Sequence, residues 1–203
     1  MNKPFFLILT LAIPVAIFLF LKIFGTNTYE VPVLFDAGIP GCNNLSNAHI
    51  VPEFVYLDEH LGQKNSSELR GFLVFGALNG AQSDECRERL VELVRIQDAF
   101  FEVGAPKFIL FNSGQSNRHA TFARLCNETG LEPENRIIAH MPKDALEDYL
   151  KCGIALLDNS GSFDNLVLVD PDRKIRGIYK SNDVAQTDRL ILELKILKQK
   201  NDQ

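Results

Sequence analysis

The chain has 203 residues, of which 46% are apolar and 23% are charged, a balance typical of a globular protein and not of a disordered one. Its 21 Lys and Arg residues against 26 Asp and Glu residues give a net charge of −5, which excludes the basic surface that nucleic-acid binding needs. Four cysteines are too few for a scaffold built from disulfides. We therefore expect one folded domain with an appendage and no nucleic-acid partner.

An uncharged apolar segment of membrane-spanning length lies at the N-terminus. No charged residue occurs from Phe5 to Leu21, and residues 5–24 are long enough to cross a bilayer if Lys22 extends toward the interface. No small-x-small cleavage site follows, so we favour a retained single-pass anchor over a cleaved signal peptide, which stays the alternative. Lys3 favours a cytoplasmic N-terminus and a domain exported to the periplasmic side of the inner membrane.

Three parts are predicted along the chain: an anchor at 1–25, a tether at 26–50 and a domain at 51–203. The tether contains prolines, glycines and an Asn pair that break any regular period. Within it, Val31–Phe35 is either an edge strand or a segment packed on the domain surface. Setting aside the two lysines that flank the anchor leaves 19 basic against 26 acidic residues. The exported part therefore carries a net charge of −7, and we do not expect it to adhere to anionic lipid.

From Val51 onward, apolar strand patterns alternate with amphipathic helix patterns. The predicted strands are residues 54–57, 71–76, 107–111, 136–140, 166–170 and 175–179, and the predicted helices are residues 83–102, 116–129, 143–151 and 183–200. Continuous apolar strands that alternate with helices indicate an α/β sheet, and a closing hairpin with a final helix makes the sheet mixed. The order predicts a thioredoxin-like fold with a mixed central sheet, preceded by one N-terminal transmembrane helix.

Reactive groups in such a fold lie where the first central strand meets its helix, because the N–H groups and dipole of the helix N-terminus favour a thiolate. Cys86 lies in the first turns of the helix predicted there. The loop holds no second cysteine for two-thiol chemistry, and the charges of Asp84 and Glu85 oppose thiolate formation. Cys86 is either a half-buried inert thiol or a functional thiol or ligand.

The histidines show no spacing typical of metal ligands. Cys126 lies on a predicted helix and Cys152 ends the short predicted helix, and both are expected in the core, whereas Cys42 in the tether is expected to be exposed. Four cysteines allow three full disulfide pairings, and the sequence does not rank the pairings among Cys42, Cys86, Cys126 and Cys152. Surface or capping roles are expected for the four histidines, which are His49, His60, His119 and His140.

Three segments of the chain carry a resemblance to a known family. Val51-Pro52-Glu53-Phe54 looks like a V-P-x-F entry strand, residues 93–100 look like the helix after a metal loop, and residues 166–179 look like a closing hairpin. Together they resemble the SCO/SenC family, membrane-anchored thioredoxin-fold proteins associated with copper delivery to cytochrome c oxidase. The likeness runs from about Val51 to Leu197 and includes the anchor.

The copper site of that family consists of two cysteines in a C-x-x-x-C loop and a distant histidine, which are ligands that copper accepts. In this chain the second cysteine position matches Cys86, Gln82 stands at the first, and the histidine position falls near Ser162. A neutral amide and a hydroxyl do not replace a thiolate and an imidazole. The resemblance therefore implies the fold and the anchored layout, but not copper transfer by the usual route.

Three hypotheses about function follow. In the first, which we favour, the protein is not an enzyme and acts by binding a protein partner on the outer side of the membrane, in connection with cytochrome c oxidase assembly and without its own copper site. In the second, it is a thiol redox protein that uses Cys86 with Cys42, Cys126 or Cys152. In the third, Cys86 binds Cu(I) together with a tether cysteine or a partner's ligand, and the protein delivers copper.

Overall fold

The computed structural model describes residues 3–24, 29–42, 49–78, 83–112, 119–157 and 163–201. The chain divides into two compact units, Met1–Glu30 and Val31–Gln203. The first unit contains the helix α1 (Lys3–Phe24), with Pro14 inside it. Among the described residues, none of the helices meets the combined length and apolarity that a membrane span requires. The second unit begins at Val31, within the segment that the sequence analysis interprets as a tether.

The second unit has its strands and helices in the predicted order. Its strands are β1 (Val55–Leu57), β2 (Gln63–Asn65), β3 (Leu73–Leu78), β4 (Lys107–Asn112), β5 (Arg136–Ala139), β6 (Asn165–Val169) and β7 (Ile175–Lys180). Its helices are α2 (Asp84–Asp98), α3 (His119–Thr129), α4 (Lys143–Asp148) and α5 (Val184–Asn201), and a π-helical turn, Tyr149–Gly153, continues α4. Strand β2 is not predicted, because three exposed polar residues carry no strand pattern.

Five strands form the central sheet, in the order β5-β4-β3-β6-β7. Strands β3, β4 and β5 run parallel, whereas β6 runs antiparallel to both β3 and β7. The mixed sheet of the predicted thioredoxin-like fold is therefore confirmed. All six residues of β3 are buried, as expected for a central strand with both faces covered.

Apolar side chains cover both faces of the sheet. On one face the helices α2, α3 and α5 contribute residues such as Leu90, Phe122 and Leu194, all almost fully buried. The other face packs against α4, the π-helical turn and the residues before β1. An aromatic cluster fills this second layer, with the rings of Phe54 and Tyr149 4.8 Å apart between centroids. The sheet is thus the middle of three layers, which is a stable arrangement for an α/β domain.

The segment at the start of the second unit packs beside β7. The backbone N–H of Leu34 donates to the carbonyl of Ile175 at 2.8 Å, and the Arg176 guanidinium donates to the carbonyl of Val31 at 3.0 Å. Val31 is buried with the helical layer, whereas Leu34 and Phe35 pack against the opposite layer. Of the two alternatives for Val31–Phe35, surface packing is the one observed.

Candidate functional site

The candidate site lies where β3 ends and α2 begins. Ser83 is the N-cap of α2, and its hydroxyl accepts a hydrogen bond from the backbone N–H of Cys86 at 3.2 Å. This cap satisfies one of the N–H groups that a helix N-terminus leaves free. Gln82 and Ser162, the residues that stand at the other two ligand positions, lie outside the described residues. Cys86 is therefore the predicted site residue whose surroundings can be analysed.

Cys86 lies in the apolar layer under the helices. It is only 3% exposed and belongs to the same buried cluster as Leu90 and Phe122. Burial raises the pKa of the Cys86 thiol, because the charged thiolate loses its hydration, and the Arg89 guanidinium offsets only part of that rise. The thiol is therefore protonated at neutral pH. A protonated thiol is a poor nucleophile and a poor metal ligand.

One helical turn after Cys86, Arg89 places a cation inside the site. Its side chain is only 9% exposed. One Nη atom donates to the carbonyls of Ala77 at 2.7 Å and Phe163 at 3.1 Å, and the other lies 2.7 Å from an oxygen of Asp164. Ala77 belongs to β3 and the other two residues precede β6. Arg89 thus joins the two segments next to which the family pattern places its copper ligands.

Arg89 is a site residue that the sequence analysis missed. Its Nε is buried and has no hydrogen-bond partner among the residues that the structure describes. Its position, three residues after Cys86 and one before the buried Leu90, is the signal that was available, because residues three apart share a helix face. A basic residue at the margin of an apolar stripe is more often read as solvent-exposed, which is why the pattern alone did not assign it.

The four cysteines divide into one disulfide and two free thiols. Cys42 and Cys152 are disulfide-bonded, with their Cα atoms 5.6 Å apart, while Cys86 and Cys126 are free and buried. The expectation that Cys42 is exposed is therefore wrong, because the segment that contains it packs on the domain and Cys42 is buried. In this disulfide state, Cys126 is the only one of the three proposed redox partners of Cys86 that is a free thiol.

Cys126 is as poorly suited to thiolate chemistry as Cys86. Burial raises the pKa of the Cys126 thiol to about 12, and Arg136 offsets part of the effect. Cys126 lies on α3 and is fully buried. At neutral pH both free thiols are protonated, and neither is placed for attack on a substrate in solvent.

The described histidines have structural contacts. The ring Nε2 of His49 lies 2.7 Å from the carbonyl oxygen of Gly153, the residue that follows the disulfide-bonded Cys152. His140 exchanges backbone hydrogen bonds with Leu57. His60 lies in an exposed turn, and the side chain of His119 is outside what the structure describes. Within the described ranges, no three or more His, Cys, Asp or Glu side chains are grouped in a way that could hold a metal ion.

Cu(I) does not fit the residues that are present. A Cu(I) site needs soft thiolate or imidazole donors. Here the one cysteine is buried and its thiol is protonated. The sequence supplies an amide and a hydroxyl, those of Gln82 and Ser162, where the family pattern has its other two ligands. We therefore derive no copper step from this site.

Comparison with known proteins gives a structural likeness and no likeness in sequence. No family model matches the chain, and no curated protein matches it in sequence. Among solved structures, an SCO1/SenC family lipoprotein from Bacillus anthracis is similar, with a TM-score of 0.61, 11% identity and coverage of 72% of this chain and 94% of that chain.

Two further structures extend the likeness. BsSco, a member of the Sco family of cytochrome c oxidase assembly proteins, has a TM-score of 0.62 at 13% identity, with 73% of this chain and 92% of that chain covered. Copper-bound ScoI from Arabidopsis thaliana has a TM-score of 0.57 at 12% identity, with 72% and 98% covered. Identities this low establish the fold alone. The chain has an SCO/SenC-like thioredoxin fold.

Proposed function

We propose that this protein is a membrane-anchored SCO-like protein that acts by binding a protein partner during cytochrome c oxidase assembly, without a copper site of its own. The observation that carries the proposal is Arg89, which joins β3 to the segment before β6 with hydrogen bonds. A fixed protein cation thus holds together the two segments next to which the family pattern places its copper ligands. The similar BsSco belongs to a family of oxidase assembly proteins, which suggests the process.

The anchored and exported layout is part of the same proposal. It rests on the uncharged residues from Phe5 to Leu21 and on Lys3 before them. The disulfide between Cys42 and Cys152 supports export, since such bonds persist in oxidising compartments and are rare in the cytosol. The proposed location is the inner membrane, with the domain on the periplasmic side.

Titration with Cu(I) tests the loss of the metal site. The full chain in detergent, anaerobic and with its disulfide closed, is titrated against a competing chelator beside the Cys86→Ser variant. We expect no tight binding in either chain, because burial raises the pKa of the Cys86 thiol, and the thiol must lose its proton before it can bind. Stoichiometric Cu(I) held by the unaltered chain and lost in Cys86→Ser would contradict this, and Cys86 is the residue we would then assign as its ligand.

Complementation in cells tests the partner-binding role. Cells that lack this protein are expected to assemble less cytochrome c oxidase, measured by haem absorbance and oxidase activity in membranes. The Cys86→Ser chain is expected to restore the oxidase to the level given by the unaltered chain, because binding through the surface does not use a buried thiol. Failure of Cys86→Ser at a normal protein level would favour thiol or copper chemistry. An unchanged oxidase level without the protein would end the link to oxidase assembly.

A further inference from the structure

The loop between α2 and β4 carries an exposed apolar pair. Phe101 is 89% exposed and Val103 is 66% exposed, the two highest values among the large apolar side chains that the structure describes. The sequence pattern predicts Phe101 on the apolar face of a helix that runs to residue 102. The helix instead ends at Asp98, so Phe101 leaves the helical period and points into solvent.

This loop is fixed to the domain. The Lys198 ammonium donates to the carbonyl of Val103 at 3.0 Å and also to that of Gly104. The same ammonium and that of Lys195 lie 5.5 Å and 6.0 Å from the centre of the Phe100 ring, which is fully buried. The neighbouring Phe100 thus ties the loop to the core, while Phe101 is held outward. The exposure of the Phe101 ring therefore results from the fixed conformation of the loop.

The exposed pair lies at the end of the domain where the chain enters from the anchor. Phe101 and Phe72 border one open hollow, and Phe72 also borders a second hollow next to Arg176. Arg176 donates to the carbonyl of Val31, the first residue of the compact unit. We call this end of the domain, which carries Phe72, Phe101, Val103 and Val31, the Phe101 end. The candidate site lies at the other end of β3, roughly 17 Å away along the strand.

We propose that the Phe101 end rests on the phospholipid surface, with Phe101 and Val103 inserted at the boundary between headgroups and acyl chains. The inference rests on the anchoring proposed above. An extended chain from Phe24 to Val31 spans at most about 25 Å, so a membrane segment that ends near Phe24 keeps the point of entry near the lipid. An apolar pair that is held outward beside the point of entry is suited to interfacial insertion.

Apolar insertion, and not net charge, is the basis of this contact. Lys195 and Lys198 border the hollow, but so do Asp98 and Glu102, and the exported part as a whole is acidic. The exposed Lys195 stem can lie along the apolar surface while its ammonium group reaches phosphate oxygens. Adherence through anionic lipid alone is therefore still not expected. With the Phe101 end on the lipid, the candidate site at the opposite end faces away from the membrane, where a protein partner can reach it.

Tryptophan fluorescence of the full chain in vesicles tests this orientation, because the chain contains no tryptophan. The Phe101→Trp and Val103→Trp variants are reconstituted into vesicles of phosphatidylcholine and phosphatidylglycerol, with and without brominated acyl chains. Val184→Trp is the matched control, since Val184 is 57% exposed and lies about 20 Å from Lys198 along α5. We expect brominated lipid to remove about half of the emission at positions 101 and 103, and to leave that at 184 unchanged.

Flotation of the same vesicles separates the two proposals. If the chain floats with the vesicles and resists alkaline extraction but neither position 101 nor 103 is quenched, the lipid contact is wrong and the anchor stands. Equal quenching at 184 also overturns the contact, because no one end then faces the lipid. A blue-shifted but unquenched emission at 101 indicates cover by protein and overturns it too. If the chain does not float, the anchoring fails, and this inference fails with it.

Discussion

Replacing both Cys42 and Cys152 with serine is expected to lower the free energy of unfolding by about 2 to 5 kcal/mol. The two cysteines are separated by 110 residues in sequence, so their bond closes most of the domain into one loop. In the chain-entropy model a loop of about 100 residues is worth about 4.7 kcal/mol at 25 °C, through the restriction of the unfolded chain. Urea denaturation followed by tyrosine fluorescence measures the loss, since Tyr56, Tyr149 and Tyr179 are buried in the domain.

Reduction of the unaltered chain is the control for this double variant. Adding a reductant should lower the urea midpoint of the unaltered chain to that of the variant, and should leave the variant unchanged. The free thiols Cys86 and Cys126 are present in both chains and cancel in the comparison. A loss below about 1 kcal/mol would show that hydrogen bonds such as that of Leu34 hold the first segment without the disulfide.

Changing Arg89 to methionine is expected to cost about 2 to 3 kcal/mol of folding free energy. The methionine fills much of the same space, but the carbonyls of Ala77 and Phe163 lose their donor inside the domain. Removing one partner of a buried ion pair costs about 3 to 5 kcal/mol. The Asp164 side chain is 55% exposed, and water can solvate its carboxylate, so the expected cost lies at or below the lower end of that range. Urea denaturation again measures the change.

Arg87→Met is the matched control for Arg89→Met. Arg87 lies on the same helix, but its side chain is 56% exposed and its ion pair with Glu128 spans 3.9 Å. Its replacement is expected to change stability by less than about 0.5 kcal/mol. Equal effects of the two substitutions would contradict the assignment of Arg89 as the group that joins β3 to the segment before β6.

The order of strands and helices was predictable because each buried strand has a recognisable apolar pattern in its own local sequence. A short run such as Leu73–Leu78 is apolar throughout, as expected for a strand that is covered on both faces. The first segment, from Val31 to Cys42, has no such period. Its links to the rest of the domain, which are the hydrogen bonds of Leu34 and Val31 and the disulfide to Cys152, all join it to residues that are distant in sequence. Local pattern carries no information about them.

The candidate site was predictable only in part, for a related reason. The position of Cys86 at the start of α2 follows from the strand and helix pattern. The role of Arg89 depends on Phe163 and Asp164, which lie some seventy residues away in sequence. Likewise, the exposure of Phe101 depends on where α2 ends, and helix ends are set by local caps and turns that a hydrophobic period does not show.

The segment beside β7 also covers part of one edge of the central sheet. Strand β7 is an edge of the sheet, and a bare edge offers unpaired N–H and C=O groups to any other extended chain. The backbone N–H of Leu34 donates to the carbonyl of Ile175, and Arg176 donates to the carbonyl of Val31. The start of this edge is therefore already covered. A fragment that began at Val51 would lack that cover and would present the start of β7 for intermolecular pairing. The segment before the predicted domain therefore protects this sheet edge against intermolecular pairing.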